Sequence, residues 1–391
     1  MKLLVIGLGQ CGGRIADAFS RLNRRARVQR GVDIITDAFA VNTDIADLSG
    51  LSFVRSDYQH RILIGGQKTS GHGVGKINEL GAEIAREDSD KVVDAVRSAA
   101  RLAETDAFLL VAGAAGGTGS GAIPVVTQRL KERYDERPIY NMVVLPFEHE
   151  EQTEQRTIYN AATCLKSVYL VADAIFLVDN QRYIQKESAI RSNLDKINAQ
   201  VVEPFYNLLC AGEEKKPKYI GSKILDAGDI IQTLVGWSVI GYGRAKIPLL
   251  NMFSEGRRHF RDKATETEKG IQAMNLAISE LSMKCNPRDA RRALYLMTAP
   301  AEEMNMTVIK ELGVSMRRIA EEAIIRSGDY PREKHNVDIT LIMSELTNVS
   351  KVINYFGRTI SYISAIKKRW KGIEVEQKSF EEAFNDIPSL L

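Results

Sequence analysis

Cysteine is scarce in this chain. Cys11, Cys164, Cys210 and Cys285 stand far apart, with no C-x-x-C spacing. Neither a disulfide framework nor a zinc site is suggested. The histidines His60, His72, His149, His259 and His335 are equally scattered, so a metal held by protein ligands alone is not expected. An excess of one charge is also lacking. Lys+Arg is 53 and Asp+Glu is 50, a net charge of +3. Such a balance leaves no electrostatic footprint for nucleic acid as the main partner. The basic clusters at 21–30 and 288–292 read as solvated helix faces. No run approaches the roughly 18 uncharged apolar residues of a membrane span, and residues 3–6 are too short for a signal-peptide core. The expectation is a soluble, cytoplasmic chain with no direct membrane insertion.

What is present is ordinary globular composition: 391 residues, 44% hydrophobic and 26% charged. At roughly 150 residues per domain, two domains are the default. Residues 2–6 form a short apolar run ending in glycine. Ile15, Ala18, Phe19 and Leu22 then recur at helical spacing. Further strands are expected at 38–41, 62–64, 108–111, 140–145 and 174–178. Helices are expected near 77–86, 92–102 and 157–170, and from about Ile123, with Pro124 in its first turn. The run Phe108 to Val111 is continuously apolar, as suits a strand buried on both faces. This alternation predicts an α/β fold with a doubly wound, mostly parallel sheet. A long central helix follows at about 192–211, then a Lys-rich loop at 212–218. From about Pro248 the pattern becomes that of a second α+β domain. It has a helix near 265–281 and strands at 293–298, 322–326 and 337–343. The expected division is 1–211, 212–373 and a mobile acidic tail at 374–391.

Three Gly-rich loops stand at strand-to-helix connections. Gly7-Leu8-Gly9-Gln10-Cys11-Gly12 follows the first strand, where a tight turn lets backbone N–H groups approach a phosphate at a helix N-terminus. Taken alone it is a dinucleotide fingerprint. Its acidic ribose partner would be Asp44, a loose match at the end of the second strand. Ala115-Gly116-Gly117-Thr118-Gly119-Ser120-Gly121 is more specific. Its glycines and small hydroxyls suit a concave nest for a polyphosphate. Gly71-His72-Gly73-Val74-Gly75-Lys76 resembles a P-loop but fails its pattern, with Ser70 in place of the first glycine and Ile77 in place of Ser or Thr. In a doubly wound sheet such loops converge beyond the carboxyl ends of the strands. Together they predict one phosphate-rich ligand, a nucleoside triphosphate with Mg²⁺.

These residues resemble the tubulin/FtsZ superfamily. Gly9-Gln10-Cys11-Gly12 is similar to the first nucleotide loop of tubulins, and Ala115 through Gly121 to the shared signature of the superfamily. Val41-Asn42-Thr43-Asp44 and Gly71 through Gly75 look like the second and third loops of FtsZ. Tyr159-Asn160-Ala161 is similar to the tubulin sugar-loop helix. The mixture most resembles the archaeal CetZ group. The resemblance implies GTP/GDP as ligand, bordered by Gly9, Gln10, Cys11 and Arg14. Asn42, Asp44, Gly73, Val74 and Gly75 would flank the terminal phosphates and Mg²⁺, and Gly116, Gly117, Thr118 and Gly119 would cradle the phosphates. Glu154 would reach the ribose, and Asn180 the base or sugar. Asn198 would reach guanine, although Leu194 replaces the family's stacking aromatic.

Asp226-Ala227-Gly228-Asp229 resembles the synergy loop of that family. Asp226 and Asp229 share one face of a helix start, where they can polarise a water. The resemblance implies that they act on GTP held by the next subunit of a head-to-tail filament. The structural alternative is a helix cap. FtsZ has asparagine two residues before the first of these; here it is Ile224. The implied role is a self-assembling cytoskeletal GTPase in cell shape or division. Asp386-Ile387-Pro388 resembles, over three residues, the docking peptide of FtsZ, which would make a membrane adaptor a partner through the tail. Two other readings stay open. One is an NAD(P)-dependent oxidoreductase resting on Gly7 to Gly12 alone. The other is a filament protein that binds GTP without significant hydrolysis.

Overall fold

The computed structural model describes residues 1–184, 190–247, 260–371 and 385–391. In chain order its first elements are β1 (Leu3–Leu8), α1 (Gly9–Arg30), β2 (Ile35–Asn42), α2 (Ile45–Ser49), β3 (Arg61–Leu63), α3 (Gly66–Thr69), α4 (Asn78–Arg97), β4 (Ala107–Gly113), α5 (Thr118–Arg133), β5 (Ile139–Leu145), α6 (Glu148–Thr153), α7 (Gln155–Val171), β6 (Ala174–Asp179) and α8 (Ile190–Ala211). After them come α9 (Ala227–Thr233), β7 (Gly236–Lys246), α10 (Phe260–Ser279), β8 (Ala290–Ala299), α11 (Met306–Ile319), β9 (Ile324–Pro331), β10 (Asn336–Leu346) and α12 (Ser350–Lys371).

The chain divides into two compact units. One comprises Lys2–Arg21, Ile35–Ala199 and Asn348–Leu391; the other comprises Met1, Leu22–Ile34 and Gln200–Thr347. In the first, an α/β unit, the strands run parallel in the order β3-β2-β1-β4-β5-β6. Every residue of β1 and of β5 is buried, as helices on both faces of a parallel sheet require. The chain leaves β1 toward β2 on one side, while β4 pairs on the other. The order therefore reverses between β1 and β4, where a crevice opens beyond the strand ends. Both glycine-rich turns after β1 and β4 lie there.

Several boundaries differ from the sequence expectation. The two helices expected near 77–86 and 92–102 are one helix, α4. Its polar middle faces outward, while Ala85, Ser89, Val92 and Val96 are buried at helical spacing. Helix α5 begins at Thr118, not near Ile123, so Pro124 lies inside it. The early start rests on contact between helices. A Cβ on Gly121 would meet Asn78 O at 2.2 Å, and one on Gly81 would meet Gly117 O at 2.4 Å. The first turns of α4 and α5 are thus pressed backbone to backbone.

Helix α12 belongs to the α/β unit, although the sequence reading grouped it with the second domain. Lys351 lies 2.8 Å from Asp179 and 3.6 Å from Glu151, and Arg358 lies 3.1 Å from Glu151. The Tyr355 hydroxyl donates to Glu151 Oε1 at 2.6 Å. These charges tie α12 to α6 and to the end of β6. Of the tail expected to be mobile, residues 374–384 lie outside the described residues. Residues 385–391 are seated on the α/β unit, with Ile387 and Leu390 buried.

The second unit carries strands in the order β7-β10-β8-β9. β10 is antiparallel to β7 and β8, and β8 is parallel to β9. Helix α10 lies directly on β7, where Gly241 and Gly243 leave no room for a Cβ beneath Ala277 O and Ala273 O. Helix α11, absent from the sequence reading, buries Val308, Leu312 and Met316 at four-residue spacing, and Asn305 caps its start. The basic cluster at 21–30 is not simply a solvated face. Arg30 is buried and donates to Asn207 Oδ1 at 2.6 Å; Arg25 lies 2.9 Å from Glu203. Both guanidinium groups stack over the Tyr206 ring, at 3.7 Å and 4.1 Å. Arg292, in the other cluster, pairs with Glu345 at 2.7 Å.

Candidate nucleotide-binding site

The site grows from the ends of β1, β2 and β4 in the α/β unit. Gly9 opens α1 with φ +70°, a left-handed conformation that favours glycine. A Cβ there would meet Gly119 N at 2.8 Å, and one on Gly119 would meet Leu8 O at 2.6 Å. The first loop and the loop at 115–121 therefore touch through backbone. Gly117 is pressed by the third loop: its Cβ would lie 2.5 Å from Val74 Cγ2 and 3.0 Å from the Lys76 carbonyl carbon. Gly116 differs. Among the described residues a Cβ there meets nothing within 4 Å, and its φ is not positive. Among the described residues, no atom accounts for glycine at 116.

Side chains lock the loops together. The Thr43 and Thr118 hydroxyls meet at 2.6 Å, both buried. Asp47 accepts from Gln10 Nε2 at 2.7 Å and from Asn42 Nδ2 at 3.0 Å. Asp44 caps α2, accepting from Ala46 N and Asp47 N. The second loop holds the third through Gly73 N donating to Thr43 O at 3.2 Å and Ile45 N donating to Gly71 O at 3.1 Å. Asn160, at the start of α7, donates through Nδ2 to Lys76 O, Ala115 O and Gly116 O at 2.9, 3.0 and 3.1 Å. Its Oδ1 is buried and, among the described residues, has no hydrogen-bond partner. A buried acceptor without a donor is costly.

Burial pushes the Cys11 thiol up to about 12, with the Glu150 carboxylate adding to the effect. It is a neutral thiol at physiological pH. Arg14 Nη1 lies 3.9 Å from Asp195 Oδ1, which puts Asp195 of α8 beside the second turn of α1. Glu154 faces the third loop, with Lys76 Nζ at 2.6 Å from its Oε2. Asn180 follows β6 in a short turn capped by Asp179, and Asn198 is half-buried on α8. Among the described residues neither is hydrogen-bonded to the glycine-rich loops. Asp226 and Asp229 lie in the other unit, where they cap α9. Among the described residues, no group of three or more His, Cys, Asp or Glu could hold a metal ion.

The sequence and the fold are both matched by known proteins. Residues 2–187 match the model of the tubulin/FtsZ family GTPase domain, and residues 187–360 match that of the tubulin-like CetZ C-terminal domain. Tubulin-like protein CetZ1 of Haloferax volcanii is 33% identical over 368 residues, covering 90% of each chain. The chain belongs to the tubulin/FtsZ family, in its CetZ group. Among solved structures, it is similar to the GDP-bound monomer of CetZ1 from Haloferax volcanii, with a TM-score of 0.79, 30% identity, and 93% and 100% of the two chains covered. It is also similar to the GTPγS-bound protofilament of CetZ2 from Haloferax volcanii, with a TM-score of 0.80, 26% identity, and 94% and 100% covered. For this CetZ-group chain, sequence reasoning left Thr43, Asp47, Lys76 and Asn160 out of the site. Asn160 stood in a run that resembled the tubulin sugar-loop helix. Its three acceptors are backbone carbonyls distant in sequence, which no local pattern marks.

Proposed function

We propose that this chain binds GTP in the crevice beyond β1 and β4, assembles head to tail, and hydrolyses GTP at the contact between subunits. The observation that carries the reading is Gly116. It is a glycine that neither backbone conformation nor packing requires, in a loop of backbone N–H groups at the start of α5. A phosphate is the ligand such a helix N-terminus takes. The GDP and GTPγS bound by the two CetZ structures support guanine nucleotide as the ligand. The CetZ2 protofilament supports self-assembly.

In this reading Gly116, Gly117, Thr118 and Gly119 hold the phosphates, and Gly9, Gln10, Cys11 and Arg14 border the nucleotide. Gly73, Val74 and Gly75 approach the terminal phosphate. Mg²⁺ comes with the nucleotide, since its preferred ligands are phosphate oxygens and water with one or two carboxylates. Asp44 is the carboxylate at hand, its Oδ2 being 3.9 Å from where a Gly73 Cβ would stand. When bound, Mg²⁺ would neutralise charge on the phosphates. Asn42 is held by Asp47 at the same edge. Glu154, Asn180 and Asn198 are the residues proposed to reach the sugar and base. Asp226 and Asp229 orient and polarise the attacking water on the neighbouring subunit's GTP. Phosphoryl transfer asks mainly for such positioning and charge stabilisation. A contact that joins unlike surfaces generates an open filament. The role proposed for this activity is in cell shape or division.

The test is equilibrium binding of GTPγS, GDP and NADH to the purified chain and to Gly116→Ala. Guanine nucleotides should bind, weakened in the variant, while NADH should not. Preferential NADH binding would sink this reading in favour of an oxidoreductase, whose only support is the turn at Gly7 to Gly12.

A further inference from the structure

Residues 385–391 make contacts that nucleotide chemistry does not use. Lys166 Nζ, on α7, donates to Ile387 O at 2.5 Å and to Asn385 O at 3.2 Å. One residue on, Ser167 Oγ accepts from Leu390 N at 3.0 Å. Arg86 Nη1, on α4, donates to Leu390 O at 2.6 Å. Ile387 is 1% exposed and Leu390 is 4% exposed, while Pro388 and Ser389 between them are exposed. Lys166 is itself only 8% exposed. Burial lowers the pKa of its ammonium from the ordinary value, and the Asp386 carboxylate works against that shift.

A seat of this kind is built, not incidental. A buried ammonium is costly unless its hydrogen bonds are made. Here two carbonyls of the segment satisfy Lys166, a serine accepts one N–H of the segment, and an arginine donates to a third carbonyl. Apolar anchors three residues apart fill the surface between these polar contacts. The recognition reads backbone polar groups plus two branched aliphatic side chains, which is how short peptides are bound.

We propose that the surface shared by α4 and α7 is a peptide-binding site, and that its occupant is residues 385–391 of the same molecule. Bound there, Ile387 and Leu390 are withheld from any other protein. The segment becomes available to a partner only by leaving this seat. Because residues 372–384 join it covalently to α12, the segment competes for its own site at an effective concentration on the order of 1 mM.

The experiment uses the full chain and a fluorescein-labelled synthetic peptide of sequence Asn-Asp-Ile-Pro-Ser-Leu-Leu. Three proteins are compared: wild type, Ile387→Asp/Leu390→Asp, and Lys166→Ala. The peptide should bind the double variant, whose site is vacated, and bind wild type at least about tenfold more weakly because the tethered segment competes. Lys166→Ala should bind weakly. Because Lys166→Ala alters a buried residue, the double variant, changed only in the segment, carries the test if that protein fails to fold. Hydrogen exchange of wild type should show the Leu390 amide protected to the same degree over a hundredfold range of protein concentration. Equal peptide binding by wild type and double variant, or binding to neither, overturns the proposal. Protection that grows with concentration would show the segment seated on a second copy, and also overturns it.

Discussion

Asp226 and Asp229 cap the same helix turn reciprocally. Asp226 Oδ1 accepts from Asp229 N at 3.0 Å, and Asp229 Oδ2 accepts from Asp226 N at 3.4 Å. Arg326 stands 3.6 Å from Asp229 Oδ1. The structural role of these carboxylates is therefore real, and it must be separated from the chemical one. Asparagine caps a helix about as well as aspartate, whereas alanine costs about 1 kcal/mol. Asp226→Asn should keep its melting temperature while losing GTP turnover, on the order of a hundredfold. Asp226→Ala should lose both. Retained turnover in Asp226→Asn would leave the residue only its cap.

Glycines in the phosphate loop should separate in the same way. Gly119→Ala forces a Cβ against Leu8 O at 2.6 Å, and such overpacking costs about 1–3 kcal/mol. Gly116→Ala meets no atom of the described residues within 4 Å. Its melting temperature should be that of wild type without nucleotide, and its stabilisation by added GTP should shrink. A thermal-shift titration of both variants reads the difference.

Asn160→Ala removes the donor shared by the carbonyls of Lys76, Ala115 and Gly116. Leaving the Lys76 and Ala115 carbonyls without that donor costs about 1–3 kcal/mol, while Gly116 O keeps the Ser120 hydroxyl. Denaturant unfolding should show that loss, and hydrogen exchange should rise in the third loop and the phosphate loop together. A rise confined to one loop would contradict the role given to Asn160.

Alkaline pH should destabilise the fold. Burial raises the Cys164 thiol from 9.0 to about 12 and the Cys210 thiol from 9.0 to about 11. The folded pKa is the higher one, so the unfolded chain loses these protons first. Stability is full below pH 9 and falls as pH rises through the window between unfolded and folded values. Each thiol contributes about 1.4 kcal/mol per pH unit within it. Urea unfolding at pH 8, 9.5 and 10.5 checks the slope, and Cys164→Ala should flatten part of it.

The α/β fold was legible because its strands are near-continuous apolar runs and the turns after β1 and β4 are rich in glycine. Boundaries were less so. The start of α5 depends on Gly121 fitting under Asn78 O, a contact between helices that helical periodicity does not encode. The polar stretch between Ile84 and Val92 looked like a break because its outward face hides the buried stripe that continues through Ala85 and Ser89. Helix α12 was missed, and its unit with it, because its attachments to Glu151 and Asp179 are charged pairs far away in sequence. The seat of Ile387 and Leu390 was invisible for the same reason: an acidic, proline-containing segment reads as free until a buried lysine is found beneath it. Gly9, Gly117 and Gly119 are pressed against neighbouring residues. Positive φ accounts for glycine at 73 and 75, which leaves Gly116 as the glycine that neither conformation nor packing among the described residues explains.

The central claim is a GTPase completed by a neighbouring subunit. Its most direct test is GTP turnover per molecule as a function of protein concentration, with light scattering recorded on the same samples. The account predicts that turnover per molecule rises together with scattering above a threshold concentration. Turnover per molecule that stays flat across the range, or no hydrolysis while filaments form, would contradict it.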